Sequence, residues 1–201
     1  MPQIMSAVTL YSTESYLELE TSATFKSEYH DGKLIPMTGG STNHNQIIIN
    51  LIAFLKFSLK EKGYRQFAGD VRLWMPAVCR YTYPDLMIVQ GNPIYHDGRT
   101  DTIENPTVII EVLSKSTQDY DHGDKFNAYR TISTFQEYVL INQYKQQVEH
   151  YVKTAEKRWS FREYDASDQQ LLLEKAPFEI SFVDLYDDVD FSLEENVGNG
   201  V

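Results

Sequence analysis

Two acids stand in runs of sequence that otherwise read as buried strand. Glu111 lies in "VIIEVL", residues 108–113, where the other five side chains are large and apolar and four of them are β-branched. Such a run suits a strand covered on both faces. Asp85 lies in "YPDLMIV", a second apolar run upstream. A carboxylate in this setting is costly unless a cation, a metal ion or water at an open strand end compensates it. If the two strands are neighbours, their carboxylates can converge, and the matching chemistry is a divalent cation, because Mg²⁺ is held by a few carboxylates together with waters and substrate phosphates. An ion so held activates water and stabilises the leaving oxygen of a phosphodiester. A lysine beside it would orient the water and offset charge on the phosphate. Paired acids also serve glycoside hydrolysis, at a separation of about 5 to 9.5 Å, but no motif in this chain places an aromatic sugar platform.

The elements that must position these acids follow from local pattern. Thr13 to Leu19 fits a short opening helix, with Ser12 or Thr13 as N-cap and Glu14 in the first turn. "SEYHDGKLIPMTG" reads as a β-hairpin turning at Asp31-Gly32, with Glu28 just before the turn. In "HNQIIINLIAFLKFSLKEKG", Asn43 can cap a long helix whose Ile47, Leu51, Phe54, Leu55 and Leu59 recur at helical spacing, and Gly63 provides the stop. "YRQFAGDVRLWMP", "YTYPDLMIVQ", "TVIIEVL", "EYVLINQ", "QVEHYVKT" and "RWSFREYD" read as strands, and "TQDYDHGDKFNAYRTI" is polar first and then helix-compatible. The order of helix, strands, helix and strands predicts an α/β or α+β domain with a mixed central β-sheet flanked by helices.

Length and charge narrow the function classes. A chain of 201 residues without a Pro-, Gly- or Ser-rich break fits a single domain, 1–201. The N-terminus lacks a basic stretch followed by an apolar run, and no segment approaches a membrane span, so the expectation is a soluble, unexported protein with no membrane partner. Cys79 is the single cysteine; no intrachain disulfide can form, and a cytoplasmic location is compatible with this. Acidic residues outnumber basic ones by 29 to 18, which repels polyanions overall. The excess gathers late, in "FVDLYDDVDFSLEEN", while Arg65, Arg72, Arg80, Arg99, Lys115, Lys125 and Arg130 leave room for a local basic surface.

Taken together and in order, "SEYHDGKLIPM", "STNHNQIIINL", "GDVRLWMP", "YTYPDLMIV", "NPTVIIEVLSKSTQDYDHGDKFNAYR" and "FQEYVLI" resemble the bacterial Uma-two family of restriction-endonuclease-like proteins. That family falls within the PD-(D/E)XK nuclease superfamily. The resemblance runs from about residue 13 to 165, which it makes the nuclease-like core, and leaves an acidic C-terminal segment, 166–201. It implies a restriction-endonuclease-like fold and an endonuclease that hydrolyses DNA phosphodiesters with Mg²⁺ or Mn²⁺, acting as a homodimer. Asp85 and Glu111 would hold the metal, with Glu28 and the carbonyl of Val112 completing the shell.

The superfamily's simplest pattern puts its lysine two residues after the Glu, where this chain has Leu113. Lys115 keeps the even spacing, but Ser114, Ser116 and Thr117 around it are turn residues, and a lysine there points to solvent. The resemblance instead assigns the role to Lys125, in "DHGDKFNAY". Other residues divide between bland and functional readings. Glu28 by itself is a solvated hairpin acid, and only the resemblance brings it to the metal. His44 is an ordinary first-turn residue or, from the match at "NHN", lines the site. Asp121 and Asp124 read as helix-start acids favoured by the macrodipole, and Tyr81 and Tyr83 as strand packing. The missing Glu-X-Lys lysine and the acidic balance keep a second class open, a binding or assembly module that retains the nuclease fold without turnover.

Overall fold

Ser12 caps the first helix: its hydroxyl accepts from the Ser15 N–H at 3.2 Å, and α1 runs Thr13–Ser22, beyond the Leu19 expected. In the computed structural model, which describes residues 9–115 and 117–194, the Asp-Gly turn also forms as read. Asp31 (φ 43°) and Gly32 (φ 92°) both take the left-handed conformation that a tight hairpin turn demands, joining β1 (Ser27–His30) to β2 (Lys33–Pro36). Residues 1–8 of the stretch read for an export signal, Ser116, and residues 195–201 of the acidic C-terminal segment lie outside the described residues.

The long helix α2, Thr42–Ser58, is capped by Ser41 instead of Asn43. Asn43, inside the first turn, uses its amide to hold the backbone of Asp190 in both directions, at 2.8 and 3.1 Å. The helix ends well before Gly63, which serves the following turn with φ 78°. Ile47, Leu51, Leu55 and Leu59 form its buried stripe. Phe54 falls off that four-residue repeat and is 39% exposed.

The chain then lays down β3 (Tyr64–Ala68), β4 (Arg72–Met75), β5 (Arg80–Thr82), β6 (Leu86–Gln90), β7 (Thr102–Ile103) and β8 (Val108–Leu113). A helical segment, residues 118–129, follows, with an α turn Gln118–Tyr120, a π-helical turn Asp121–Lys125 and an α turn Phe126–Tyr129. After it come β9 (Glu137–Asn142), β10 (Gln147–Ala155), β11 (Arg158–Asp165), β12 (Gln170–Leu172) and β13 (Glu179–Ser181). The strands divide between two larger sheets instead of one. A six-stranded sheet has the order β11-β10-β9-β8-β6-β3, with β8 parallel to β9, and a five-stranded sheet has the order β2-β1-β5-β4-β7.

Strand alternation sorts the side chains of β8. Val108, Ile110 and Val112 face α2, whereas Ile109 and Leu113 face the core formed with Ala128, Tyr129 and Phe135 and with Leu73 and Met75 of the second sheet. Glu111 therefore projects toward residues 118–129. The C-terminal segment joins the α2-side core through Leu171, Phe178, Ile180, Phe182 and Leu185. No helix among the described residues is long and apolar enough to cross a membrane.

Candidate active site

Strands β6 and β8 run antiparallel with Leu86 opposite Ile110, so the next position along sets Asp85 opposite Glu111. Pro84 helps end the preceding strand, and Asp85 stands just outside the last paired residue of β6. The two acids clasp each other's backbone across that gap. The N–H of Asp85 donates to Glu111 Oε2 at 3.2 Å, and the N–H of Val112 donates to Asp85 Oδ2 at 2.8 Å. In an extended strand the N–H and C=O of one residue point to the same side, so the Val112 carbonyl faces the same gap.

Lys125 enters from the π-helical turn. Its ammonium lies 2.9 Å from Glu111 Oε1, 3.2 Å from Asp121 Oδ1 and 4.0 Å from Glu28 Oε1, and all four side chains are almost fully buried. The hydroxyl of Tyr129 donates to Glu111 Oε1 at 2.7 Å. Lys115 is elsewhere, exposed, with its ammonium 5.1 Å from the centre of the Tyr144 ring. Of the two lysines weighed from sequence, Lys125 is thus the one beside the carboxylates.

Glu28 is not the solvated acid its local sequence suggests. The hairpin folds under the site, and the acid's oxygens meet the Tyr120 hydroxyl at 2.9 Å, His30 Nε2 at 3.0 Å and the Tyr83 N–H at 3.4 Å. His44, in the first turn of α2, reaches Asp85 Oδ2 with Nε2 at 3.2 Å. Asp85 is the most open of the acids, its side chain 22% exposed, on a cleft of about 370 Å³ shared with His44, Gly39 and Gly40. A second cleft of about 300 Å³ reaches Glu28, Tyr120 and Lys125, and Met37 and Thr38 border both.

Three carboxylates, those of Glu28, Glu111 and Asp121, thus lie within 4.0 Å of one ammonium, and Asp85 stands beside Glu111. Burial pushes the Glu111 carboxyl up to about 8; Lys125 pulls against this, while Asp85 and Asp121 push with it. Burial also acts to raise Asp85 and Glu28, but is outweighed. His44, Lys125 and the Val112 N–H hold Asp85 below the usual carboxylate range, and Lys125, His30 and Tyr120 do the same for Glu28. Burial opposes the charge on Lys125, yet the acids around it raise its pKa well above that of an ordinary lysine.

The donor set suits a hard divalent cation: two adjacent carboxylates, one reaching water, with a backbone carbonyl facing the same gap. Among the described residues no three acidic, histidine or cysteine side chains form a ready-made cage. Such an ion would be held by Asp85, Glu111 and Val112, with the rest of its shell from water and phosphate, as Mg²⁺ commonly is. Asp121 Oδ1 is buried and has the Lys125 ammonium, 3.2 Å away, as its charge partner.

Asp121 reads locally as a helix-start acid, and no local pattern marks Tyr120 or His30 as neighbours of the site. One signal was present: Asp121, Lys125 and Tyr129 repeat every four residues, which puts them on one helical face.

Comparison with known proteins agrees with this architecture. Residues 13–184 match the Uma2 family model, described as "Putative restriction endonuclease". The uncharacterized protein sll1609 of Synechocystis sp. (strain ATCC 27184 / PCC 6803 / Kazusa) is 37% identical over 180 residues, covering 90% of this chain and 98% of that one. A second uncharacterized Synechocystis protein, slr1290, is 32% identical over 158 residues, covering 79% of this chain and 82% of its own. Among solved structures, a crystal structure from Anabaena variabilis ATCC 29413, described as a putative nuclease belonging to DUF820, superposes with a TM-score of 0.70 at 19% identity, covering 86% of this chain and 96% of that one. That likeness establishes a shared fold. With most of its length matched by the family model, the chain belongs to the Uma2 family.

Proposed function

We propose that the protein is a metal-dependent endonuclease that hydrolyses phosphodiester bonds in DNA. The observation that carries this reading is the meeting of Asp85, just before β6 begins, with Glu111 inside the adjacent strand β8, beside a buried lysine ammonium 2.9 Å from Glu111. These two carboxylates and the Val112 carbonyl would hold Mg²⁺ or Mn²⁺, which would supply activation of water and neutralisation of charge on the leaving oxygen. His44 fixes the orientation of Asp85 from the protein side. Tyr129 and Asp121 hold Glu111 and Lys125 in register. Lys125 is the cation available to orient a water and to offset charge on the phosphate. The family resemblance supports a homodimer that addresses both strands.

Nicking of supercoiled plasmid in Mg²⁺ or Mn²⁺ tests the reading. The parent should nick and linearise it, chelator should stop this, and Asp85→Asn and Glu111→Gln should each abolish it. Absence of nicking with either ion, or nicking that survives both substitutions, contradicts it. One observation favours a second reading, a nuclease fold kept as a binding or assembly module: Glu111 already has Lys125 and Tyr129 as partners, in a chain of net charge −11.

A further inference from the structure

The six-stranded sheet ends on β11, and nothing among the described residues covers that edge. β11, Arg158–Asp165, pairs with β10 in an unbroken register from Trp159 opposite Lys153 to Asp165 opposite Gln147, so no bulge twists the edge away over residues 159–165. The strand has no proline, and of its eight residues only Tyr164 is buried. Among the described residues, the backbone of 159–164 makes no hydrogen bond beyond β10. In an antiparallel pair alternate residues aim both N–H and C=O away from the partner strand, so this edge presents a row of unpaired backbone groups.

Aromatic rings lead out to the same edge. Phe126 and Tyr151 lie 5.0 Å apart between ring centres, Tyr151 faces Phe161 across the strand pair at 4.9 Å, and Phe161 ends the row 55% exposed. A row of rings and a row of backbone donors and acceptors both stop where another strand could continue them.

The sequence of the edge fits a second copy of itself. When two copies of one strand pair antiparallel about a two-fold axis, facing residues lie on the same face of the sheet, so their numbers differ by an even count. An axis at Arg162 or Glu163 sets that charge against itself, and an axis at Ser160 sets Arg158 against the partner's Arg162. An axis at Phe161 brings no like charges together. It puts Lys157 opposite the partner's Asp165, Arg158 opposite the partner's Tyr164, Trp159 opposite the partner's Glu163 and Ser160 opposite the partner's Arg162, and it closes the two exposed Phe161 rings on each other.

We propose that this edge is the interface with a second copy of the chain: β11 pairs with β11 antiparallel about a two-fold axis at Phe161, joining the two six-stranded sheets into one continuous sheet. This pairing gives the homodimer proposed above its surface, and does not depend on whether the protein cuts DNA.

The test is sedimentation equilibrium of the full chain across a concentration series, with far-UV circular dichroism to check that each variant keeps the fold. The parent should be a dimer. Phe161→Lys, which sets two ammonium groups at the axis, should raise the dimer Kd about 100-fold or more. Lys157→Glu and Asp165→Lys, both at exposed positions, each bring like charges together and should raise it about tenfold. The double variant restores the pair with its signs exchanged and should return to within about threefold of the parent. The proposal is overturned if the parent is a monomer throughout, if Phe161→Lys dimerises as the parent does, or if the charge variants do not show this loss and recovery; should Phe161→Lys fail to fold, the charge variants decide. A dimer that withstands all of these substitutions moves the homodimer to another surface, and plasmid nicking reads the nuclease separately whichever way the masses fall.

Discussion

The ammonium of Lys125 lies 2.9 Å from Glu111 Oε1, with both side chains buried, so the acid in the middle of a hydrophobic strand is answered by a cation of the same chain. Lys125 also neighbours Asp121 and Glu28, and removing it strands three buried acids together. Lys125→Met should therefore destabilise the protein by about 3 kcal/mol or more at pH 8, read as a shift of the urea midpoint with an unchanged slope. A midpoint equal to the parent's would mean that the ammonium is not what holds the acids.

Glu111 gives the stability a pH dependence of definite sign. Its carboxyl rises from 4.5 to about 8 on folding. Between those values the folded chain keeps a proton that the unfolded chain has lost, so stability falls as pH rises from about 5 to 8 and levels off above. Asp85 and Glu28, held low, act oppositely: their contribution is present above their unfolded values and is lost as pH falls through the folded ones. Glu111→Gln, in chelator, should match the parent near pH 5 and exceed it increasingly toward pH 8. Parallel pH profiles for the two proteins would show that Glu111 does not titrate in this range.

The His44 ring reaches the site through Asp85, so its effect should be on function more than on folding. His44→Ala should lower the nicking rate by about 10- to 100-fold, in line with the loss of a group that orients a metal ligand, while the melting temperature moves little. A full nicking rate would remove His44 from the positioning role.

The C-terminal segment is tied down by a buried acid outside the site, Glu137. Glu137, fully enclosed, accepts from the N–H groups of Glu174 and Lys175 at 2.7 and 2.9 Å and lies 2.6 Å from His150 Nε2. Glu137→Leu leaves both amides without their acceptor, at about 1–3 kcal/mol for each buried group. Hydrogen exchange should then speed up through residues 170–181. Unchanged exchange there would show that the apolar contacts of Leu171 and Ile180 suffice.

Local signals in the sequence were sufficient where the deciding interaction is local. The Asp31-Gly32 turn, the Ser12 cap and the four-residue stripe of α2 each depend on neighbours a few positions away. Asp85 and Glu111 were also legible, because a carboxylate in an apolar strand is conspicuous and strand register puts the two opposite one another. What escaped depends on distant chain. Ser41 caps α2 while Asn43 is drawn to Asp190, 147 residues along the chain. Glu28 reads as hairpin surface until the hairpin packs under residues 118–129, and Asp121 reads as a solvated helix acid until Lys125 turns toward it. The division into two sheets is likewise a matter of long-range pairing, such as β1 with β5, which no local pattern encodes.

The central claim is that Asp85 and Glu111 together hold a divalent cation. The most direct test is a crystal soaked in Mn²⁺ with anomalous diffraction recorded at the manganese edge. The account predicts an anomalous peak in the gap between the two carboxylates, about 2.0–2.4 Å from an oxygen of each and facing the Val112 carbonyl, and no such peak in Asp85→Asn. A parent crystal without density at that gap, while Mn²⁺ occupies other acidic sites on the same molecule, would contradict it.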